Sequence, residues 1–364
     1  MAKQKKGKLL KATLGLAAAS AAYYALGNFL YGLVFTRRAA SRGFAGWPVD
    51  GIVTGEAVRR PKSPVEKVLA RLTGQSYEME GFIKSPNFRE FQADVQWYMD
   101  RPPEKAVIPS PRGASRDARI HADVIRNEAP SDVWLILLHG FTCCPWSNAG
   151  LVREFHRWGF NVLQPHLCGH GESEDPFVSM GWLDRIDVLA WINYLIDEYE
   201  DPKIILFGSS MGAGTVMMTT GEALPDNVIC AIEDCGYTSV RDLLASAAGH
   251  VLPEGLLTEL GLSALDAVTR LRAGFSLKEA SCVKQLKKSK TPTLFVHGEE
   301  DDSVPFRMLQ EVYDAAACEK AMLTIPGAGH SEFLKSPELF FGTVQAFIIK
   351  HLGRELPPYS IAGK

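Results

Sequence analysis

The sequence of 364 residues lacks the excess of positive charge that is typical of nucleic-acid-binding proteins. Its 39 lysines and arginines are outnumbered by 42 aspartates and glutamates, which gives a net charge of −3. We therefore expect no nucleic-acid partner.

Cysteine is scarce and is not spaced for metal binding. The seven cysteines are Cys143, Cys144, Cys168, Cys230, Cys235, Cys282 and Cys318. None of them stand in C-x-x-C spacing, and no cysteine–histidine group has the spacing of a zinc site. The sequence therefore excludes a disulfide scaffold, and we expect buried thiols and no metal or organic cofactor.

Charge is also absent from Ala12 to Thr36, a largely apolar segment of 25 residues that is long enough to span a bilayer as a helix. More basic residues precede this segment than follow it, which predicts residues 1–11 as a cytoplasmic tail. Residues 12–36 are then expected to be a single-pass transmembrane anchor or signal-anchor in the cell membrane, with the main domain outside the cytoplasm. A cleaved signal peptide and a buried core helix are the alternatives.

The rest of the chain divides into a helical extension and a domain of alternating elements. Residues 37–101 are expected to be the extension, with amphipathic helices at 63–72 and 88–99. The strands predicted in residues 102–364 are 105–110, 118–125, 133–140, 160–167, 203–208, 227–235, 291–298 and 321–327. Helical patterns between them predict an α/β fold with a mostly parallel central sheet flanked by helices. Residues from about 241 to 290 are helical without a strand pattern, which predicts a cap inserted over the sheet edge.

The stretch "IILFGSSMGAGT" is typical of a nucleophile on a sharp strand-to-helix turn. Only Ser210 occupies the serine position of the G-x-S-x-G pattern, with Gly208 and Gly212 around it. The glycines matter because side chains would collide in so tight a turn. We therefore predict that Ser210, and not its neighbour Ser209, is a nucleophile.

A serine hydroxyl needs a base, and the base needs a carboxylate to orient it. Asp301 follows a predicted strand in "LFVHGEEDDSVPF", and His330 lies in the loop "GAGHSEF" after the last predicted strand. The order Ser210, Asp301, His330 is the one that α/β-hydrolases have. The alternatives for the acid are Asp302, Glu300 and Asp234.

Two backbone amides are candidates for stabilising an oxyanion. The loop "LLHGFTCCPWS" follows a buried strand, which predicts that the amide of Phe141 is one donor. The amide of Met211, directly after the predicted nucleophile, is the other.

Five segments resemble the α/β-hydrolase superfamily: "LLHGF", "PHLCGHGESE", "FGSSMGAGT", "HGEEDDSVP" and "GAGHSEF". Three others, "MGWLDRIDVLAWI", "IEDCGYTSV" and "KEASCVKQLKKSKTP", are similar to bacterial serine hydrolases described as membrane-bound cell-surface hydrolases. The resemblance covers nearly all of the chain and implies the triad above, a cap, and esterase-like chemistry. The chain departs from the common D-x-R-G-H-G pattern at His166 and Cys168, which removes a possible Asp–Arg pair.

The sequence thus predicts a serine hydrolase that cleaves a small-molecule ester or related acyl bond through an acyl-enzyme. A thioesterase or lipase, a peptidase of the prolyl-oligopeptidase-like branch and an acyltransferase are alternatives within the enzymes. A non-catalytic binding module on the cell surface is the alternative from another class, although such modules typically lose a member of the triad.

Overall fold

The computed structural model describes residues 2–41, 86–112, 118–249 and 255–359. The helices of these ranges are α1 (Ala2–Val34), α2 (Arg37–Ala40), α3 (Pro86–Met99), α4 (Ala149–Arg157), α5 (Asp184–Glu198), α6 (Met211–Thr220), α7 (Val240–Gly249), α8 (Leu256–Ala273), α9 (Cys282–Leu286), α10 (Arg307–Ala315) and α11 (Pro337–Leu352). Short 3₁₀ turns lie at Pro145–Asn148 and Phe333–Lys335. The amphipathic helix predicted at 63–72 lies outside the described residues.

A single eight-stranded sheet organises the domain. Its strands are β1 (Glu104–Pro109), β2 (Arg119–Ile125), β3 (Val133–Leu138), β4 (Asn161–Pro165), β5 (Lys203–Ser209), β6 (Val228–Asp234), β7 (Thr293–Gly298) and β8 (Lys320–Ile325). They lie in the order β1-β2-β4-β3-β5-β6-β7-β8, and β2 runs antiparallel to both of its neighbours. The pairs from β4 to β8 are parallel, which confirms the predicted mostly parallel sheet.

Helices cover both faces of the sheet because its central strands are apolar on both sides. Every residue of β3 is buried, as a strand between two cores requires. One core contains side chains from α5, α6, α8 and α10, together with Tyr31 and Phe35 of the N-terminal segment. The other contains side chains from α3, α4 and α11. The parallel strands consequently end at one shared edge, where the loops carry the functional side chains.

Three helices occupy the segment between β6 and β7, in which the sequence indicated a cap. They are α7, α8 and α9, and the backbone of α9 is joined to the start of α7 by a bridge between Ser239 and Ser281. Leu243, Leu244 and Ala247 of α7 face the cleft at the sheet edge. This inserted segment therefore forms part of the cleft wall.

The end of the 12–36 segment is part of the domain's core. The end of α1 packs into the core, where Phe35 is 0% exposed and stands against Tyr31 and Phe275. Gly27 allows α8 to approach, because a Cβ there would lie 2.3 Å from the backbone oxygen of Ala264. The helix also begins at Ala2, within the predicted tail of residues 1–11.

The transmembrane prediction is not supported. Within the described ranges, no helix combines the length and the apolar character needed to cross a bilayer. The polar Asn28 and three tyrosines at positions 23, 24 and 31 reduce the apolar character of the 12–36 segment.

Arg37, the first residue after the uncharged segment, has a structural role. Its guanidinium donates hydrogen bonds to the carbonyl oxygens of Ser173 and Gly171. A backbone bridge between Thr36 and Phe177 lies beside these bonds. The N-terminal segment is therefore fixed to the loop that follows β4.

The contact at Gly27 gives a paired prediction. Gly27→Ala should lower the free energy of unfolding by about 1–3 kcal/mol, since the new methyl group collides with the backbone of α8. Gly32→Ala lies in the same helix with nothing within 4 Å, and should raise stability by up to about 1 kcal/mol. Thermal unfolding followed by circular dichroism compares the two, and equal midpoints would contradict the described packing.

Candidate active site

Ser210 lies on a sharp turn between β5 and α6. Its φ of 57° lies in the region that non-glycine residues rarely adopt, and its amide donates to the carbonyl of Asp234 over 2.8 Å. A Cβ on Gly208 would lie 2.2 Å from the carbonyl oxygen of Gly212, and one on Gly212 would lie 2.2 Å from that of Leu138. Both glycines are thus needed for the turn, which presents the Ser210 hydroxyl at the edge of the sheet.

Three predicted residues meet at this edge in one chain of hydrogen bonds. Nε2 of His330 lies 2.8 Å from Oγ of Ser210, and Nδ1 of His330 lies 2.7 Å from Oδ2 of Asp301. Since Asp301 accepts at Nδ1, the Nε2 atom of neutral His330 is free to accept the serine proton. The arrangement can generate a serine nucleophile.

The Asp301 carboxylate is fixed by its own loop. Oδ1 accepts hydrogen bonds from the backbone amides of Ser303 and Val304, at 2.9 and 2.8 Å. Nε2 of His297 lies 3.2 Å from Oδ2 of Asp301 and 2.9 Å from the carbonyl of Val304. His297 is the last residue but one of β7, and only the structure shows that it lies beside the acid.

The electrostatics of the pair favour a charged carboxylate. Burial alone would raise the pKa of Asp301, but the charge of His330 and the hydrogen bonds from His297 and His330 hold it well below its ordinary value. Burial lowers the pKa of His330, yet the charge and hydrogen bond of Asp301 outweigh burial and raise it above 6.5. An Asp301 carboxylate in this position can stabilise a positive charge on His330.

The three alternative acids lie elsewhere. Glu300 and Asp302 are exposed, whereas Asp301 between them is buried. Asp234 is 1% exposed at the end of β6, and its Oδ1 accepts from the thiol of Cys235 at 3.4 Å. Burial raises the pKa of Asp234, and the charge of His330 partly opposes this rise. The carboxyl of Asp234 therefore belongs to the surroundings of the site.

Two buried histidines support the loop that contains Phe141. Nε2 of His170 accepts from the amide of Thr142 at 3.2 Å, and Nε2 of His139 accepts from the amide of Leu167 at 3.3 Å. Burial lowers the pKa of His170 to about 4 and that of His139 well below 6.5, so both rings are neutral acceptors. His170 thus holds the loop of Phe141 through its backbone, and His139 connects the start of that loop to the backbone after β4.

Phe141 and Met211, the predicted oxyanion donors, both line the cleft that contains the Ser210 hydroxyl. Met211 is the first residue of α6, so its amide has no partner within the helix. The loop of Phe141 reaches the nucleophile closely, since a Cβ on Gly140 would lie 3.5 Å from that of Ser210. The two amides are therefore available on the nucleophile's side of the cleft.

The cleft around Ser210 has a volume of about 530 Å³ and a mostly apolar wall. Its lining residues are Val34, Phe141, Met180, Ser210, Met211, Tyr237, Leu243, Leu244, Ala247, Ser303, Val304 and His330. Sequence reasoning missed Val34, because it assigned the end of α1 to a membrane anchor. No local pattern in the sequence indicates that this valine reaches the site.

The thiols near the site are inert as nucleophiles. Cys144, Cys168, Cys230, Cys235 and Cys282 are buried, and all seven cysteines are free. Burial raises the pKa of Cys143 to about 11, which keeps its thiol protonated. The predicted buried thiols are thus confirmed for five of the seven positions.

Comparison with known proteins agrees with the geometry. Residues 133–258 match the model of the family described as the alpha/beta hydrolase fold. The chain is 27% identical over 226 residues to the uncharacterized protein YqkD of Bacillus subtilis, covering 60% of this chain and 73% of that protein. It is 31% identical over 166 residues to the thermostable monoacylglycerol lipase of Bacillus sp. H-257, covering 44% of this chain and 58% of the lipase.

A solved structure shows the same fold. The esterase of Pyrococcus furiosus superposes with a TM-score of 0.55 at 21% sequence identity, over 70% of this chain and 94% of the esterase. These likenesses show that the chain has the α/β-hydrolase fold. Membership of the membrane-bound cell-surface group stays a prediction.

The pKa of His330 is directly measurable. By NMR of histidine-labelled protein, the ring should titrate above pH 6.5, and Asp301→Asn should move its pKa below that value because burial then dominates. Because the pKa of His330 is raised in the folded protein, protonated His330 stabilises the fold. This contribution to the free energy of unfolding is complete below the unfolded-state pKa and is lost as pH rises through the folded-state pKa. His170 is the internal control, since it should stay neutral near pH 7 in both proteins. An unchanged His330 titration in Asp301→Asn would contradict the pairing.

Proposed function

We propose that the protein is a carboxylic ester hydrolase that works through an acyl-enzyme on Ser210. The observation that carries the proposal is the hydrogen-bonded chain from Ser210 Oγ through His330 to Asp301 at an apolar cleft. Similarity to a lipase and the fold shared with an esterase support the same class.

The reaction follows from the position of each group. Ser210 Oγ attacks the ester carbonyl while Nε2 of His330 takes its proton, and the amides of Phe141 and Met211 stabilise the oxyanion. Collapse of the tetrahedral intermediate breaks the bond to the alcohol, which leaves with the proton from His330. Water, deprotonated by the same nitrogen, then attacks the acyl-enzyme and releases the acid and the free serine.

The wall of the cleft indicates the substrate class. Apart from His330, no lining residue carries an ionisable acid or base that is charged near neutral pH. An acyl or alcohol group inside it is therefore apolar and uncharged, since an unpaired charge would lose hydration there. This favours an apolar ester over a charged metabolite. The predicted location at the cell membrane, with the domain outside the cytoplasm, stays a prediction.

The two adjacent serines offer a matched test of the nucleophile. A fluorophosphonate probe should label the protein, Ser210→Ala should abolish labelling, and Ser209→Ala should retain it. Ser209 is the last residue of β5 and is paired with Asp234, so its change leaves the base and the acid in place. Labelling that survives Ser210→Ala would refute the proposal, and a complete lack of labelling would favour the non-catalytic binding module.

Val34 offers a test of the apolar cleft. Val34→Trp should reduce kcat/KM for long-chain p-nitrophenyl esters by roughly tenfold or more relative to the acetate, because the indole fills acyl space. Val107→Trp is the control, since Val107 is exposed on the edge strand β1. Equal losses for short and long esters would show that the acyl group does not occupy the part of the cleft beside Val34.

A further inference from the structure

Large exposed apolar side chains are concentrated on two helices. The described residues include eleven such side chains, and seven of them belong to α1 and α8: Tyr24, Leu26, Phe29, Leu256, Leu257, Leu260 and Leu271. Leu256 is 84% exposed and Phe29 is 62% exposed. Contiguous apolar surface of this kind on a folded protein marks an interaction site.

Most of this apolar surface lies where the helix pair leaves the domain. The contacts of Tyr23 with Ser263 and of Tyr31 with Arg272 show that α1 and α8 run parallel, so the first turns of α8 lie beside the exposed part of α1. Burial falls along α1 from Phe35 towards its N-terminus, and residues 17–22 are all exposed. We call Tyr24, Leu26, Phe29, Leu256, Leu257 and Leu260 the projecting surface.

The sequence of α1 before this surface is rich in positive charge. The first turns of α1 contain five lysines, at positions 3, 5, 6, 8 and 11, and the first acidic residue of the chain is Asp50. On α8, Glu259 is paired with Arg241 at 2.5 Å, and Asp266 is paired with Arg270 at 2.9 Å. The helix pair therefore combines exposed apolar side chains with unbalanced positive charge.

This combination distinguishes between possible occupants. A second copy of the chain would bring another helix with five lysines in its sequence, and like charges repel. Anionic lipid headgroups would attract the lysines, while leucine and aromatic side chains enter the boundary between headgroups and acyl chains. Charge complementarity thus favours a lipid surface.

We propose that the projecting surface docks the protein on an anionic phospholipid bilayer without a helix crossing it. The same α1 ends at Val34 in the wall of the cleft, so docking places the cleft near a source of apolar esters. The inference goes beyond ester hydrolysis and does not depend on Ser210 acting as a nucleophile.

Flotation with vesicles tests the proposal on the full chain carrying Ser210→Ala, so that binding is measured without turnover. The protein should float with vesicles of phosphatidylglycerol and phosphatidylcholine in equal parts, and roughly tenfold less with phosphatidylcholine alone or at high salt. The combined change Leu256→Asp, Leu257→Asp and Leu260→Asp should reduce binding to the anionic vesicles by about tenfold or more.

Leu339→Asp is the matched control, because Leu339 is an exposed leucine of α11 on the opposite face of the sheet. It should bind as the parent does. Circular dichroism shows whether the triple variant is folded. A protein with the same triple change and an intact Ser210 should also hydrolyse a soluble short-chain ester if the fold is intact.

Equal vesicle binding by parent and triple variant, or no binding by the parent, would overturn the proposal. A lipid-free dimer that the triple variant dissociates would also overturn it and assign the surface to a second copy. Vesicle binding without fluorophosphonate labelling would leave docking intact and remove only the proposed hydrolysis.

Discussion

The site depends on one constraint, the tight turn between β5 and α6. The turn holds Ser210 at a φ of 57°, and it brings the carbonyl of Gly212 against Gly208 and that of Leu138 against Gly212, so that neither glycine can carry a side chain. This geometry directs Oγ away from the sheet and towards Nε2 of His330, 2.8 Å away. It also starts α6 at Met211, whose amide consequently faces no helical partner. The same turn thus positions both the proposed nucleophile and one of the proposed oxyanion donors.

The part of the site around Asp301 is built differently, from a loop that holds the buried carboxylate in place. Two backbone amides and His297 fix Asp301, and Asp301 in turn fixes the tautomer of His330. The neutral rings of His139 and His170 likewise fix the loop of Phe141, because each accepts a hydrogen bond from a backbone amide. Buried polar groups therefore position the reacting ones, and each has a hydrogen-bond partner that justifies its burial.

Much of this arrangement could be predicted from sequence, because it follows from local patterns. Apolar runs bounded by glycines indicated the eight strands, and the shared edge of a parallel sheet predicted that Ser210, Asp301 and His330 would meet. The N-terminal helix could not be predicted in this way. Its 25 uncharged residues suggested a membrane anchor. The place of the helix is set instead by the contact of Gly27 with α8 and by the burial of Phe35 in the core, and both contacts join residues about 240 positions apart. Roles such as those of Val34 and His297 are likewise set by tertiary neighbours rather than by spacing.

The central claim is that an ester acylates Ser210 directly, and mass spectrometry of the intact protein tests it most directly. The protein is mixed with a p-nitrophenyl ester, quenched in acid during turnover, weighed and then digested. The account predicts a mass increase of one acyl group, located on the peptide that contains Ser210. An adduct on another residue would contradict it. So would steady release of p-nitrophenol by the variant His330→Ala, in which deacylation is slowed, if no adduct were found on that protein.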